Sequence, residues 1–243
     1  MNEVMAIAEG TWRRILRMRV VYFLIACVVV LIGSAVNYDI LSMGEHRMLM
    51  IDVSLVLNTV AAVLVAISLT FEIPKELREG VASTLLTKPL GRTQYLVGKM
   101  VGTAITGIVI NFLIAFGFCI IFSMAFDERI APSMIQGHLL IMASMIPMSA
   151  IAVLFSVIIP EMIAALVTAV VIWFSFSTPS ISKMTLLYGG ILPDLNLFNL
   201  KSLAVYGSTI YWGYIFLAIL WGASYAVFVT ALSSLIFRYK DLK

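Results

Sequence analysis

The run "VSLVLNTVAAVLVAISLTF" occupies Val53–Phe71 and contains no charged residue. A helix needs about 20 mostly apolar residues to cross the hydrocarbon core of a bilayer. A spanning barrel strand would alternate polar with apolar positions, and "VLNTVAAVLVAISL" does not alternate. An open strand would leave peptide groups unpaired in hydrocarbon, where a helix satisfies its own. The run therefore predicts a membrane-spanning helix, and it sets how the rest of the chain is read.

The 243 residues are 62% hydrophobic and 12% charged, with mean hydropathy +1.06. Soluble domains carry roughly 25% charged residues, and one globular core does not hide so much apolar surface. Six runs have spanning character: 20–36, 53–71, 100–126, 135–159, 162–178 and 210–237. Pro147 is expected to kink the fourth, because proline removes a backbone donor and crowds the preceding turn. The sequence thus predicts an all-α membrane protein of six transmembrane helices in a single domain, residues 1–243.

Arg13, Arg14, Arg17 and Arg19 precede the first span. Lys75, Arg78, Lys88, Arg92 and Lys99 lie between the second and third, and Arg238, Lys240 and Lys243 follow the last. Only Arg47, Arg129, Lys183 and Lys201 fall on the other side, so the positive-inside rule places both termini and the second-to-third connection in the cytoplasm. The net charge of +3 is a topology signal and gives no ground for nucleic-acid binding. A signal peptide is the rival reading of the first run, with "GSA" at Gly33–Ala35 as cleavage region. That run exceeds the usual 7–15 residues, and removing it would split the charge bias. Cys27 and Cys119 both fall inside spans, where packing is their expected role.

Residues 3–19 read as an amphipathic interfacial helix. Val4, Ile7, Ala8, Ile15 and Leu16 share a side, Arg13, Arg14 and Arg17 meet lipid headgroups, and Trp12 suits the membrane interface. Residues 179–209 are too long and too apolar for a simple outer turn. Short helices are expected there around Ile181–Leu187 and Leu197–Val205, as a lid or as a packing element. Gly98, Gly102, Thr106, Ser149, Ala152, Gly222 and Ala226 are small residues that let helices approach. Asn58 and Asn111 are polar within spans, either as interhelical hydrogen bonds or as pathway contacts. No span carries a charge near its middle, which disfavours an ion-coupled carrier.

Between spans two and three lies "FEIPKELREGVASTLLTKPLGRTQYLVGK", Phe71–Lys99, the densest charged stretch in the chain. Pro74 suits the first turn of a helix. From Lys75 to about Thr87, Leu77, Val81 and Leu85 form one stripe, with Lys75, Glu76, Arg78 and Glu79 projecting elsewhere. Pro89 and Gly91 break the chain, and a second helix starts near Arg92 and leads through Lys99 into span three. Antiparallel helices need only about 2–8 connecting residues, so a helical hairpin over 75–98 reads as a surface made to be gripped.

The series Glu79-Gly80, Leu85-Leu86, Pro89, Arg92, Leu96 and Gly98-Lys99 resembles the signature of ABC-2 type permeases, with Glu76 or Glu79 as its leading acid. Val81 stands where that signature commonly has threonine. "AEGTWRRILRMRV", "LPDLNLFNL" and "FRYKDLK" resemble the family's first helix, the segment before its last span, and its tail. The resemblance implies an ABC-2 (type V exporter-like) permease fold that works as a dimer in the cytoplasmic membrane with two ATPase subunits beneath. It makes 75–98 a coupling helix that uses Glu76, Glu79, Gly80, Leu85, Leu86, Pro89, Arg92 and Lys99. It makes Glu161, in the turn Ile159–Met162, a second contact, and 179–209 an external gate. ATP and Mg2+ would be bound by the partner, none by this chain.

The residues agree that the motor lies elsewhere. "GRTQYLVGKM" from Gly91 is not a phosphate-binding loop, having six residues between its glycines and Met100 in place of Ser or Thr. There is no H-E-x-x-H. His46 and His138 read as separate loop or interface residues, and the 14 methionines read as span packing more than as a copper site. No residue is assigned a catalytic or metal-binding role. The alternative function is a scaffold that transmits ATPase motion to a periplasmic or accessory partner without moving a solute.

Overall fold

A computed structural model describes residues 2–17, 19–34, 45–80, 91–126, 129–177 and 193–239. Among the described residues eight α-helices follow in chain order: α1 (Asn2–Leu16), α2 (Arg19–Ser34), α3 (His46–Arg78), α4 (Arg92–Ala125), α5 (Pro132–Ile158), α6 (Glu161–Phe176), α7 (Lys201–Val205) and α8 (Trp212–Arg238). A 3-10 turn at Leu195–Phe198 precedes α7. Among the described residues there is no strand.

Among the described residues four helices, α3, α4, α5 and α8, are long and apolar enough to cross a membrane. At 16 residues each, α2 and α6 reach about 24 Å, short of a full hydrocarbon core. The expected continuations of these two runs fall partly outside the described residues. At 33 residues, α3 extends about 50 Å and overshoots the run that predicted it at both ends.

The central post is α5, with 78% of its apolar window buried against 33% for α8. Around it stand α3, α4, α6 and α8, while α2 leans on α4 and α3. Helix α5 starts at Pro132, where the missing N–H is harmless, and runs on through Pro147. Gly222 explains how α8 reaches that ring: a Cβ there would stand 3.3 Å from Pro147 Cδ and 3.0 Å from Phe198 Cζ.

Two expectations are corrected. Pro74 does not open a new helix, because it lies inside α3, which ends at Arg78. Proline costs the helix one backbone bond, but Ile73 and the charged neighbours Glu72 and Glu76 are buried on either side and hold the turn in place. Beyond the Glu79 cap stands Gly80, whose φ of 70° is the left-handed conformation favoured after a helix end. His138 is not in a loop. It is buried in α5, with Nδ1 2.9 Å from Met134 O and its ring stacked on Phe118 at 5.0 Å.

At the opposite end from the α3–α4 hairpin, Gln136 grips the segment before α8. Its side-chain amide donates to Ile210 O and accepts from Ile210 N, both at 2.9 Å. Tyr214 donates to Leu197 O at 2.7 Å. This half of the expected gate segment is packed on the bundle, while the helix expected at Ile181–Leu187 lies outside the described residues.

Candidate functional site

The charges gather where α3 ends and α4 begins. Lys99 Nζ lies 2.6 Å from Glu72 Oε1 and 2.7 Å from Glu76 Oε1. Tyr95 donates its hydroxyl to Glu76 Oε2 at 2.6 Å. Arg14, arriving from α1, donates to Glu76 Oε1 at 2.6 Å. Glu72, Glu76 and Lys99 are only 4%, 3% and 3% exposed. Two carboxylates thus face one ammonium and one guanidinium, a neutral group. Buried charge is tolerated in this form because each ion has a partner.

Glycine brings α1 close enough to take part. A Cβ on Gly98 would lie 2.7 Å from Ile7 Cβ, and one on Gly102 would lie 2.7 Å from Ala8 O. Ile7, Ala8, Thr11 and Ile15 are buried there, so the apolar side of α1 is used against α4.

Two further contacts tie this rim together. Arg78 forms a two-pronged bond to Glu161, at 2.9 and 2.7 Å, joining the end of α3 to the start of α6. Arg92 donates to Phe237 O at 2.9 Å and Arg238 O at 2.8 Å, joining the start of α4 to the end of α8. Tyr95 stacks beside the same Phe237, with ring centroids 6.2 Å apart. The start of α4 is itself braced by Gln94, which accepts the Gly91 N–H at 2.8 Å.

The structure sorts the expected site residues into three groups. Glu76 and Lys99 are buried and paired with each other, and Arg92 is turned onto the end of α8. Glu79 is exposed beside Lys75 (3.8 Å), and Glu161 is joined to Arg78. Leu85, Leu86 and Pro89 lie outside the described residues. On α1, Arg13 pairs with Glu9, Arg14 turns to Glu76, Arg17 is exposed and Trp12 is half-buried. Asn58 and Asn111 are fully buried, and among the described residues neither side-chain amide has a hydrogen-bond partner. The sequence reading missed Glu72 and Tyr95. The available signal was their spacing: Glu72 stands four residues before Glu76 and Tyr95 four before Lys99, so each shares a helix face with a charged residue already singled out.

A cleft of about 430 Å3 opens between α3 and α6. Val60, Leu64, Ile172 and Trp173 line it, with Asn199 and Lys201 at one edge. Among the described residues no cluster of His, Cys, Asp and Glu is suited to a metal ion.

Membrane-length helices around a buried post, with a charged rim that draws five helices together, define a polytopic integral membrane protein. The chain belongs to the family described as multidrug efflux system permease Rv1217c, C-terminal domain. The match covers residues 34–188, more than half of the chain, and includes α3 to α6 with the hairpin between α3 and α4. No curated protein matches the chain.

Proposed function

We propose that this chain is the transmembrane subunit of an ABC-2 type exporter, with six spans, both termini in the cytoplasm and a second permease copy beside it. A separate ATPase grips the α3–α4 hairpin, and ATP and Mg2+ bind to that partner. The observation that supports this reading best is the rim itself: a force applied at the hairpin reaches α1 through Arg14, α6 through Glu161 and α8 through Arg92. Exposed Lys75, Arg78 and Glu79 at the hairpin's first arm supply a charged face for docking. The activity in the matched family's name makes drug-like amphipathic molecules the first cargo to test, and the apolar cleft beside α6 suits them.

Co-expression with the ATPase encoded nearest to this chain provides the test. In proteoliposomes the pair should hydrolyse ATP faster when a fluorescent amphipathic dye is present and should move that dye. Glu79→Lys should weaken co-purification while leaving the permease folded. Co-purification and dye-stimulated hydrolysis both unchanged in Glu79→Lys would remove the hairpin from the coupling path.

A further inference from the structure

Docking does not explain why the rim buries ions. Glu72, Glu76, Tyr95 and Lys99 are shut away from any partner at the hairpin, and Arg14 is the group that connects them to α1. A buried ion cluster adds little net stability over an apolar one of equal volume, but it fixes geometry, since each charge left unpaired is costly. The apolar contact of α1 with Gly98 and Gly102 is tight and undirected, and it would tolerate a small roll or slide. The Arg14–Glu76–Lys99 chain would not, because its bonds are short and directional.

We infer that Lys99 and Glu76 are positioning residues that lock α1 onto the hairpin, so that α1 travels with α3 and α4 as one body. On this view α1 is part of the lever and not a float resting in the headgroups. The joint movement rests on the ATPase-coupled reading above, whereas the lock itself does not.

The experiment uses the full chain alone in nanodiscs of phosphatidylethanolamine and phosphatidylglycerol, with Cys27 and Cys119 replaced by alanine. Spin labels are placed at Gly10→Cys, where a side chain meets nothing within 4 Å, and at exposed Thr93→Cys. Pulsed electron resonance should give one narrow distance in this parent. Lys99→Arg should keep it, while Lys99→Met, Glu76→Gln and Arg14→Ala should each broaden it. Should the buried substitutions prevent folding, Arg14→Ala decides, because its side chain is half exposed. An unchanged narrow distance in Arg14→Ala and in any folded Lys99 or Glu76 variant overturns the inference and leaves α1 held by glycine packing alone. A lock that is present in a chain with no ATPase-linked transport would keep the inference and remove the function proposed above.

Discussion

Arg92 caps the far end of another helix: its guanidinium donates to the carbonyl oxygens of Phe237 and Arg238, 145 and 146 residues away in the chain. The last carbonyls of a helix have no partner within it and carry its negative dipole end. A cation that also hydrogen-bonds there is worth about 1–3 kcal/mol. Arg92→Ala should lose about that much stability and should speed amide exchange in the last turn of α8. Hydrogen exchange followed by mass spectrometry would check this, and equal exchange in both forms would contradict it.

Gly98 and Gly102 invite a paired substitution. Alanine at either site places a Cβ within 2.7 Å of α1, and at Gly102 the nearest atom is a backbone oxygen that has no side-chain freedom. Overpacking of this kind costs typically about 1–3 kcal/mol, and α1 should become sensitive to trypsin at Arg13 and Arg17. Gly10→Ala is the control, since nothing lies within 4 Å. It should be neutral or stabilising by up to about 1 kcal/mol through helix propensity.

The Arg78–Glu161 pair is exposed on the Arg78 side, so its contribution to stability should be below about 1 kcal/mol. Glu161→Lys should therefore leave the thermal midpoint nearly unchanged. If the pair carries movement from the hairpin to α6, the same variant should reduce dye-stimulated ATP hydrolysis, and Arg78→Glu with Glu161→Arg should restore part of it. A fall in both stability and hydrolysis would make the pair a structural brace.

Asn58 and Asn111 separate stability from transport differently. An unpaired buried amide costs about 1–3 kcal/mol, so Asn58→Leu or Asn111→Leu should be neutral or stabilising. A more stable variant that has lost dye transport would place that amide on the cargo's route. Retained transport would leave it a packing residue.

Much of the membrane architecture was legible because hydropathy and backbone satisfaction act locally. Val53–Phe71 announces a helix without help from any other segment. The limits of that helix were not legible. Local rules start a new helix at Pro74, but burial of Ile73 and Glu76 carries α3 past it, and those contacts come from segments far away in the chain. Glu76, Lys99 and Arg92 could be picked out as unusual, yet not the direction in which they point. A charged residue beside a polar loop looks solvent-facing until α1 and α8 are known to lie over it. Asn58 and Asn111 went the other way, since polarity in a span implies a bond and the described neighbours supply none.

The neighbours Gly98 and Lys99 work on adjacent sides of α4, the first admitting α1 and the second reaching α3. Inserting or deleting one residue between the Arg92 cap and this pair would rotate them by about 100° relative to that cap and shift them by about 1.5 Å, breaking agreement with one partner or the other. The opening turns of α4 should thus accept hardly any change in length, a reading-frame constraint imposed by geometry.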